Sequence, residues 1–217
     1  MLKLVIGNKA YSSWSLRPWL LLKQAGIAFE ELLIPLYEPD SANLALHYAP
    51  TGKVPALVDG SVSVWESIAI CEYLAERFPE KQLWPADPVL RAEARSLAAE
   101  MHAGFGALRQ HCPMNVRRQI RRSRTAEVER DVARFAALAE SLRARFATSG
   151  PFLMGPFTVL DAMYAPVATR CHTYGIPLPS RAQAWVDHLL ALPAMREWYE
   201  AGAAEPWVLP QSELADE

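Results

Sequence analysis

The sequence predicts a small α/β domain followed by an all-helical domain. Three observations carry this prediction: β-prone apolar runs occur only in the first third of the chain, a proline-rich stretch without periodicity follows them, and helical stripes fill the remainder. We place the α/β domain at residues 1–80, a linker at 81–86 and an all-α helical bundle at 87–217.

The composition is that of a folded globular protein. The 217 residues are 51% hydrophobic and 21% charged, which is enough apolar material for a substantial core. A net charge of -2 argues against a nucleic-acid or membrane-surface binder, and no apolar run is long enough to span a bilayer. Cys71, Cys112 and Cys171 are scattered, so we expect reduced core thiols in a cytoplasmic protein, with no zinc or other metal site and no disulfide framework.

The first 34 residues predict a βαβ unit. Leu2–Ile6 is an apolar run typical of a buried strand, and residues 29–34 form a second such run. Between them, residues 16–25 show helical periodicity and end at Gly26, which is a common residue just beyond a helix C-terminus. A loop is expected after the second strand.

A hairpin and a helix are predicted next. Residues 54–58 and Val62–Trp65 are short β-prone runs, and the Asp59–Gly60 pair between them is a hairpin-turn signal. A helical pattern begins at Glu66 and Ser67. The first domain therefore reads βαβ followed by ββα.

The same segment carries groups suited to an amino-acid ligand. Pro55 has no N–H for a ladder, and a cis Val54–Pro55 peptide is one solution that turns the Val54 backbone toward a ligand. Ser67 offers a hydroxyl and helix N-terminal N–H groups to an anion, while Glu66 can hold an ammonium. A carboxylate and an ammonium on one carbon form the head of an amino acid.

This pattern, V-P-x-L-x-D-G followed by a Glu-Ser helix start, resembles the glutathione-binding half of the glutathione transferase family. The resemblance implies a thioredoxin-like first domain, bound glutathione and a homodimer, and it extends over essentially the whole chain. It also implies that Lys53 meets the glycyl carboxylate of glutathione, although a solvated lysine is the alternative.

The second domain shows helical patterns throughout. An Asp87–Pro88 helix start precedes an apolar stripe over residues 90–108, and a second stripe covers 128–146. Thr158 and Asp161 form a variant capping box, Ser180 and Gln183 a standard one, and Pro166 is expected to kink its helix. The segment 157–170 resembles the buried capping motif and helix of the transferase family.

Hydroxyl-bearing residues occupy the junction of the first strand and the first helix. The run from Ser12 to Arg17 resembles the S-S-C-S-W-R signature of the zeta class, with Trp14 in the place of the cysteine. Serines before a helix are often only caps, and Ser15 is interpreted in this way. The functional alternative is that Ser12, or next Ser13, donates a hydrogen bond to the glutathione thiolate. Tyr11 is a rival donor, as in other transferase classes.

Glu100 and His102 fall on the first long helix of the second domain. They are either a polar turn on an exposed face or, as in similar beta-class proteins, contributors to the glutathione site. On the second interpretation His102 assists the thiolate or orients an electrophile, and Glu100 reaches the glutathione ammonium across a dimer interface.

Two further groups are interpreted more simply. Five arginines crowd one segment and suggest a solvated helix end or loop, with an anion-attracting rim or a docking patch as alternatives: Arg117, Arg118, Arg121, Arg122 and Arg124. Trp19 and Trp185 are assigned to the core.

Three functions follow from the resemblance. The leading hypothesis is a detoxifying transferase that adds the glutathione thiolate to small electrophilic substrates. A zeta-like cis–trans isomerase of the maleylacetoacetate isomerase type, acting on an acidic substrate, is the second. A non-catalytic relative that serves as a partner protein is the third.

Overall fold

The computed structural model describes all 217 residues and confirms a thioredoxin-like α/β domain followed by an all-helical domain. Its α-helices and strands, in chain order, are β1 (Leu2–Ile6), α1 (Ser13–Gln24), β2 (Phe29–Leu33), α2 (Ser41–Leu46), β3 (Ala56–Asp59), β4 (Val62–Trp65), α3 (Ser67–Arg77), α4 (Pro88–Ala103), α5 (Gly106–His111), α6 (Ala126–Arg145), α7 (Val159–Thr173), α8 (Ser180–Leu190) and α9 (Pro193–Ala204). Short 3₁₀ helices occupy Pro79–Lys81 and Pro210–Ser212.

The four strands form one mixed sheet in the order β2-β1-β3-β4. β1 pairs in parallel with β2, as the βαβ unit requires, and antiparallel with β3. β3 and β4 form the predicted hairpin, with Asp59 opposite Val62. β1 and β4 have the predicted bounds, whereas β3 begins only at Ala56, because Pro55 has no N–H to pair. The Val54–Pro55 peptide is cis.

The first helix begins earlier than the sequence suggested. Ser12 is its N-cap, accepting from the Ser15 N–H at 3.4 Å, so the interpretation of Ser15 as a cap was wrong. Ser15 lies inside the first turn, and its Oγ accepts from the N–H of Gly7 at 3.0 Å. Gly26 follows the helix end with φ +63°, the left-handed conformation that glycine adopts without steric cost.

Two other boundaries differ from the predictions. The loop before the hairpin contains the short helix α2. The single stripe over 90–108 is divided between α4 and α5, because Phe105 takes φ +57° and interrupts the helical path. The apolar stripe continues across this break, because α4 and α5 both pack their apolar residues into the same core.

One of the two predicted capping boxes is present. Thr158 and Asp161 exchange the expected backbone contacts at the start of α7, and Asp161 also accepts from the Leu153 N–H and Trp185 Nε1. The second box was wrong: Pro179 is the N-cap of α8, and Ser180 is its first helical residue. Gln183 donates to Asp187 instead.

The first helix lies between the sheet and the helical domain. It contacts α3 on one side and α7 and α9 on the other, and nine of its twelve residues are buried. Trp19 meets Trp198 of α9 edge-to-face at 5.0 Å between ring centroids, and Trp185 is also buried, as predicted. Its N-terminus is therefore held by both domains.

Two observations concern the chemistry that the composition suggested. All three cysteines are buried and free. Among the helices of the chain, none combines the length and the apolar character needed to cross a membrane.

Candidate active site

Two adjoining cavities lie beside the N-terminal turn of α1, and the larger one is lined by residues of both domains. The smaller has a volume of about 190 Å³ and is lined by Trp14, Thr51, Lys53, Val54, Pro55, Glu66 and Ser67. The larger, of about 710 Å³, is lined by twenty residues. They include Tyr11, Ser12 and Ser13 from the α1 N-terminus, residues of the 34–45 segment, and Leu209, Gln211 and Ser212 from the C-terminal tail. Trp14, Lys53 and Val54 line both cavities, so the two adjoin at these residues.

The smaller cavity brings together the five residues assigned to glutathione. The β3–β4 hairpin carries the chain directly into α3, so Glu66 becomes the N-cap of that helix with φ +69°. Ser67 is the first helical residue and is fully buried. Unpaired N–H groups of a first helical turn favour an anion at this end. Lys53, Val54 and Pro55 line the same cavity.

Ser67 is held from behind by a buried arginine. Arg17 of α1 is fully buried, and its Nη1 donates to Ser67 Oγ at 3.4 Å. Burial and the neighbouring Arg170 and Arg109 lower the pKa of Arg17 to about 9, which leaves it cationic at neutral pH. Because Ser67 Oγ accepts this hydrogen bond, its own proton is available to a ligand in the cavity.

The Ser12 hydroxyl is engaged in the cap of α1. Its Oγ lies 2.8 Å from Ser15 Oγ in addition to the contact with the Ser15 N–H. If Ser12 donates to Ser15, its proton is not available to the cavity. If Ser15 donates instead, the Ser12 proton is free. The arrangement permits both, because hydroxyl hydrogens rotate.

The Ser13 hydroxyl makes fewer hydrogen bonds than that of Ser12. It is the first residue of α1, and its Oγ accepts from Nη2 of Arg170 at 3.5 Å. Arg170 is fully buried on α7, where it also donates to the carbonyls of Cys112 and Pro166, and burial lowers its pKa to about 10. A hydroxyl that accepts from a buried cation is polarised toward donating its own proton.

Tyr11 is tied to the C-terminal tail. Its hydroxyl donates to Glu213 Oε1 at 2.7 Å and accepts from Arg117 Nη1 at 3.2 Å. Burial raises the pKa of Tyr11, and the hydrogen bond to Glu213 raises it further. The phenol proton is therefore shared with a carboxylate in this arrangement.

Trp14 forms the partition between the two cavities. Its ring lies 4.1 Å from Arg17 Cζ and 5.3 Å from Arg109 Cζ, and its edge meets His102 at 5.2 Å between centroids. The indole thus covers buried positive charge with an electron-rich face. In the zeta-class signature a cysteine stands at this position, so this chain has an aromatic wall in place of a thiol.

His102 contacts Glu66 beside the smaller cavity, whereas Glu100 pairs with a residue of α6. Nε2 of His102 lies 3.6 Å from Glu66 Oε2. Burial, followed by the charge of Arg17, lowers the pKa of His102, while Glu66 acts in the opposite direction. Glu100 forms a bidentate pair with Arg134 of α6, at 2.6 and 2.7 Å, and these hydrogen bonds lower its pKa. Within one chain, His102 therefore contacts the start of α3, whereas Glu100 contacts α6.

The arginine-rich segment binds the C-terminal tail. Arg117 donates to the carbonyls of Gly202, Glu205 and Trp207, and Arg118 pairs with Glu213. The Arg121 N–H donates to Asp216, and Arg122 pairs with Glu217, whereas Arg124 pairs with Glu129 of α6. The segment is a loop, which agrees with one interpretation from the sequence, but most of its arginines bind the C-terminal residues rather than solvent alone. The acidic residues near the C-terminus were the signal that would have suggested these contacts.

Sequence reasoning also assigned no role to Arg17 or Arg170. Both arginines interrupt otherwise apolar, buried helical segments. A charged residue in such a position is rare unless a partner or ligand compensates it, and this was the available signal.

Two family profiles match the chain, and together they cover most of it. The profile for the glutathione S-transferase N-terminal domain matches residues 11–77, and that for the C-terminal domain matches residues 125–201. A stringent starvation protein A homolog from Coxiella burnetii is 27% identical over 86% of this chain and 84% of its own length. The maleylacetoacetate isomerase of Pseudomonas aeruginosa is 36% identical over 54% of this chain and 57% of its own length.

The fold agrees with these matches. A solved glutathione transferase homolog from Burkholderia GL BGR1, with bound glutathione, superposes with a TM-score of 0.70. It is 24% identical, and the match covers 94% of this chain and 99% of that one. The chain belongs to the glutathione S-transferase family.

Proposed function

We propose that this protein binds glutathione, stabilises its thiolate and adds it to small electrophiles. The observation that carries the proposal is the meeting of two cavities at Trp14, Lys53 and Val54. One cavity presents groups suited to an amino-acid head, and the other presents hydroxyls at a helix N-terminus. Glutathione supplies the nucleophilic sulfur, and the chain binds, orients and activates it.

The smaller cavity would hold the γ-glutamyl head. Ser67 donates its hydroxyl proton to the carboxylate, with the N-terminal N–H groups of α3 beside it. Glu66 accepts from the ammonium, and the Val54 backbone pairs with the peptide of the ligand. Lys53, which lines both cavities, would meet the glycyl carboxylate.

The sulfur would then lie near the N-terminus of α1. A free thiol has a pKa of about 8.5, so only a few per cent is thiolate at neutral pH. A hydroxyl donor and the helix dipole favour the anion, and about 2.7 kcal/mol is enough to lower that pKa by about two units. The uncommitted proton of Ser13 supports it as the donor, and Ser12 and Tyr11 are the alternatives. The backbone N–H of Trp14 lies in the same helical turn and adds to the field.

The larger cavity would take the electrophile. Its lining combines apolar side chains such as Ile34, Leu36 and Leu209 with about as many polar or charged ones, including Gln211 and Glu38. Lys53 is the only cationic residue of that lining. This composition supports a small, largely uncharged substrate.

Two other functions remain as candidates, each favoured by one observation. The similarity to a maleylacetoacetate isomerase favours a cis–trans isomerisation that uses the same bound thiolate on an acidic substrate. The similarity to stringent starvation protein A homologs favours a non-catalytic partner protein. An intact head-group site supports catalysis over the second, since a docking module has no need of one.

We also propose a homodimer, as is usual for the family. Sedimentation velocity at micromolar concentration is expected to give twice the mass of the chain. A monomer at that concentration would contradict the proposal.

Glutathione binding and turnover test the proposed function directly. We expect retention on immobilised glutathione, a measurable dissociation constant by calorimetry, and turnover in a screen of electrophiles. Ser67→Ala should weaken binding by about 10- to 100-fold, because a hydrogen bond to a charged group is lost. Ser141→Ala, on the exposed face of α6, is the matched control. A folded protein that neither binds nor responds to glutathione would exclude both enzyme functions.

A further inference from the structure

Arg17 is a buried cation that no carboxylate of the chain neutralises. The residue is fully buried, and none of the ion pairs in the structure includes it. Its Nε and Nη2 have no hydrogen-bond partner at all. Buried arginines are ordinarily paired, so this arrangement is unfavourable in the protein alone.

The surroundings of Arg17 increase this imbalance. The nearest charged groups that act on its pKa are Arg170 and Arg109, and both repel it. The Cys71 and Tyr164 side chains act in the other direction, but both are held neutral by burial, which raises the pKa of Cys71 to about 12 and also raises the pKa of Tyr164. The Trp14 ring covers one face of the guanidinium, which moderates the charge without neutralising it.

The only side-chain oxygen to which Arg17 donates belongs to Ser67. That oxygen accepts from Arg17 Nη1 at 3.4 Å and stands between the guanidinium and the smaller cavity. Ser67 is also the first residue of α3, an eleven-residue helix whose N-terminus favours an anion. A buried, unpaired cation and a helix N-terminus thus point to the same place.

We propose that Arg17 is the positioning residue and buried counter-charge of the anion site, and that the carboxylate it is arranged for is the α-carboxylate of the γ-glutamyl head. The inference rests on the proposed binding of glutathione. Arg17 orients the Ser67 hydroxyl so that its proton points into the cavity. Its charge is compensated only when a carboxylate arrives there. The unpaired charge lowers the stability of the ligand-free protein, and it makes binding selective for ligands that carry this carboxylate.

Binding of two ligands by Arg17→Met tests this role. The second ligand is γ-aminobutyryl-cysteinyl-glycine, which keeps the amine and lacks only the α-carboxylate. Wild type should prefer glutathione to this analogue by about 10- to 100-fold, the effect of a charge-assisted hydrogen bond. Arg17→Met should lose most of that preference, through weaker glutathione binding with little change for the analogue.

The stability of the ligand-free variants separates this role from a structural one. Arg17→Met preserves volume and removes an uncompensated buried charge, so its Tm should equal or exceed that of wild type. Arg170→Met is the matched control, because Arg170 is also buried but donates to two backbone carbonyls and Ser13. Arg170→Met should lower the Tm and should weaken the binding of glutathione and of the analogue to the same extent.

The outcomes distinguish the two proposals. Wild type that binds neither ligand would overturn the proposed function. Wild type that prefers glutathione, with an unchanged preference in Arg17→Met, would overturn the role of Arg17 alone. If the Met variant does not fold, Arg17→Lys replaces it and should retain part of the preference, since it keeps the charge. If Arg17→Lys instead loses affinity for glutathione and for the analogue equally, the inference is contradicted.

Discussion

Nη2 of Arg170 donates to Oγ of Ser13 over 3.5 Å, which joins the middle of the helical domain to the first turn of α1. The relationship matters because the hydroxyl is polarised by a cation that lies outside its own domain. Ser13 therefore differs chemically from Ser12, although the two are adjacent in sequence and line the same cavity.

The thiolate donor can be identified by titration of bound glutathione. We expect Ser13→Ala to raise the pKa of the bound thiol toward its free value. Turnover at neutral pH should fall by about one to two orders of magnitude, since each pKa unit is roughly 1.4 kcal/mol. The ultraviolet absorbance of the thiolate, followed against pH, is the measurement.

Ser12→Ala and Tyr11→Phe are the controls for that titration. A larger shift in Ser12→Ala would move the assignment to the cap residue. Loss of the thiolate signal in Tyr11→Phe alone would make the phenol the donor and would require Glu213 to leave it. If none of the three changes moves the titration, the backbone N–H groups and the helix dipole hold the thiolate.

His102 should titrate below the ordinary histidine value of about 6.5. Burial and Arg17 disfavour its charged form, so the unfolded chain binds the proton more readily. Its contribution to stability is therefore present above about pH 6.5 and is lost as the pH falls through the lower, folded pKa. Resonances of the imidazole ring, followed by NMR, report this pKa.

Glu66→Gln should lower the pKa of His102 further, because the carboxylate at 3.6 Å favours the imidazolium. Glu76→Gln, at an exposed position of the same helix, should leave it unchanged. A His102 pKa at or above the ordinary value would contradict the burial of this side chain beside Arg17.

Asp161 should be among the most sensitive positions for stability. Its two oxygens accept from the Leu153 N–H, the Thr158 N–H and Trp185 Nε1, all in the interior. Asp161→Ala leaves these donors unpaired and should reduce the free energy of unfolding by roughly 3 kcal/mol. Urea denaturation measures it.

Asn at the same position should be only a partial replacement for Asp161. Hydrogen-bond donors approach both carboxylate oxygens, so the amide nitrogen would face a donor. Asp187→Asn, on the exposed side of α8, is expected to change stability little. Equal stabilities for the Asp161 and Asp187 variants would refute this account.

The C-terminal tail should loosen when Arg117 is removed. Arg117→Met deletes the donor for the carbonyls of Gly202, Glu205 and Trp207, so amide exchange in residues 205–217 should accelerate. The tail lines the larger cavity and not the smaller one. The KM for the electrophile should therefore rise, while the dissociation constant of glutathione should not change. Arg130→Met, at an exposed helix position, is the control. A tail that exchanges as slowly as in wild type would show that other contacts hold it.

The local segments of the site were readable from the sequence. One hairpin-and-helix unit contains Val54, Pro55, Glu66 and Ser67. Turn chemistry, proline geometry and helix-start preferences were therefore enough to predict that these residues line one cavity. The bounds of β1 and β4 followed from short apolar runs for the same reason: each depends on neighbours a few residues away.

The tertiary structure alone decided how those groups are charged and which protons are free. Arg17 acts on Ser67 across 50 residues and Arg170 on Ser13 across 157, while Arg117 holds a tail 85 to 90 residues further along the chain. No local pattern encodes such pairs, because they form only when α1 packs between the sheet and α7. The sequence by itself thus determined the fold, the hairpin site and the candidate hydroxyls. The chemical state of each hydroxyl depends on burial and distant cations, which exist only in the folded chain.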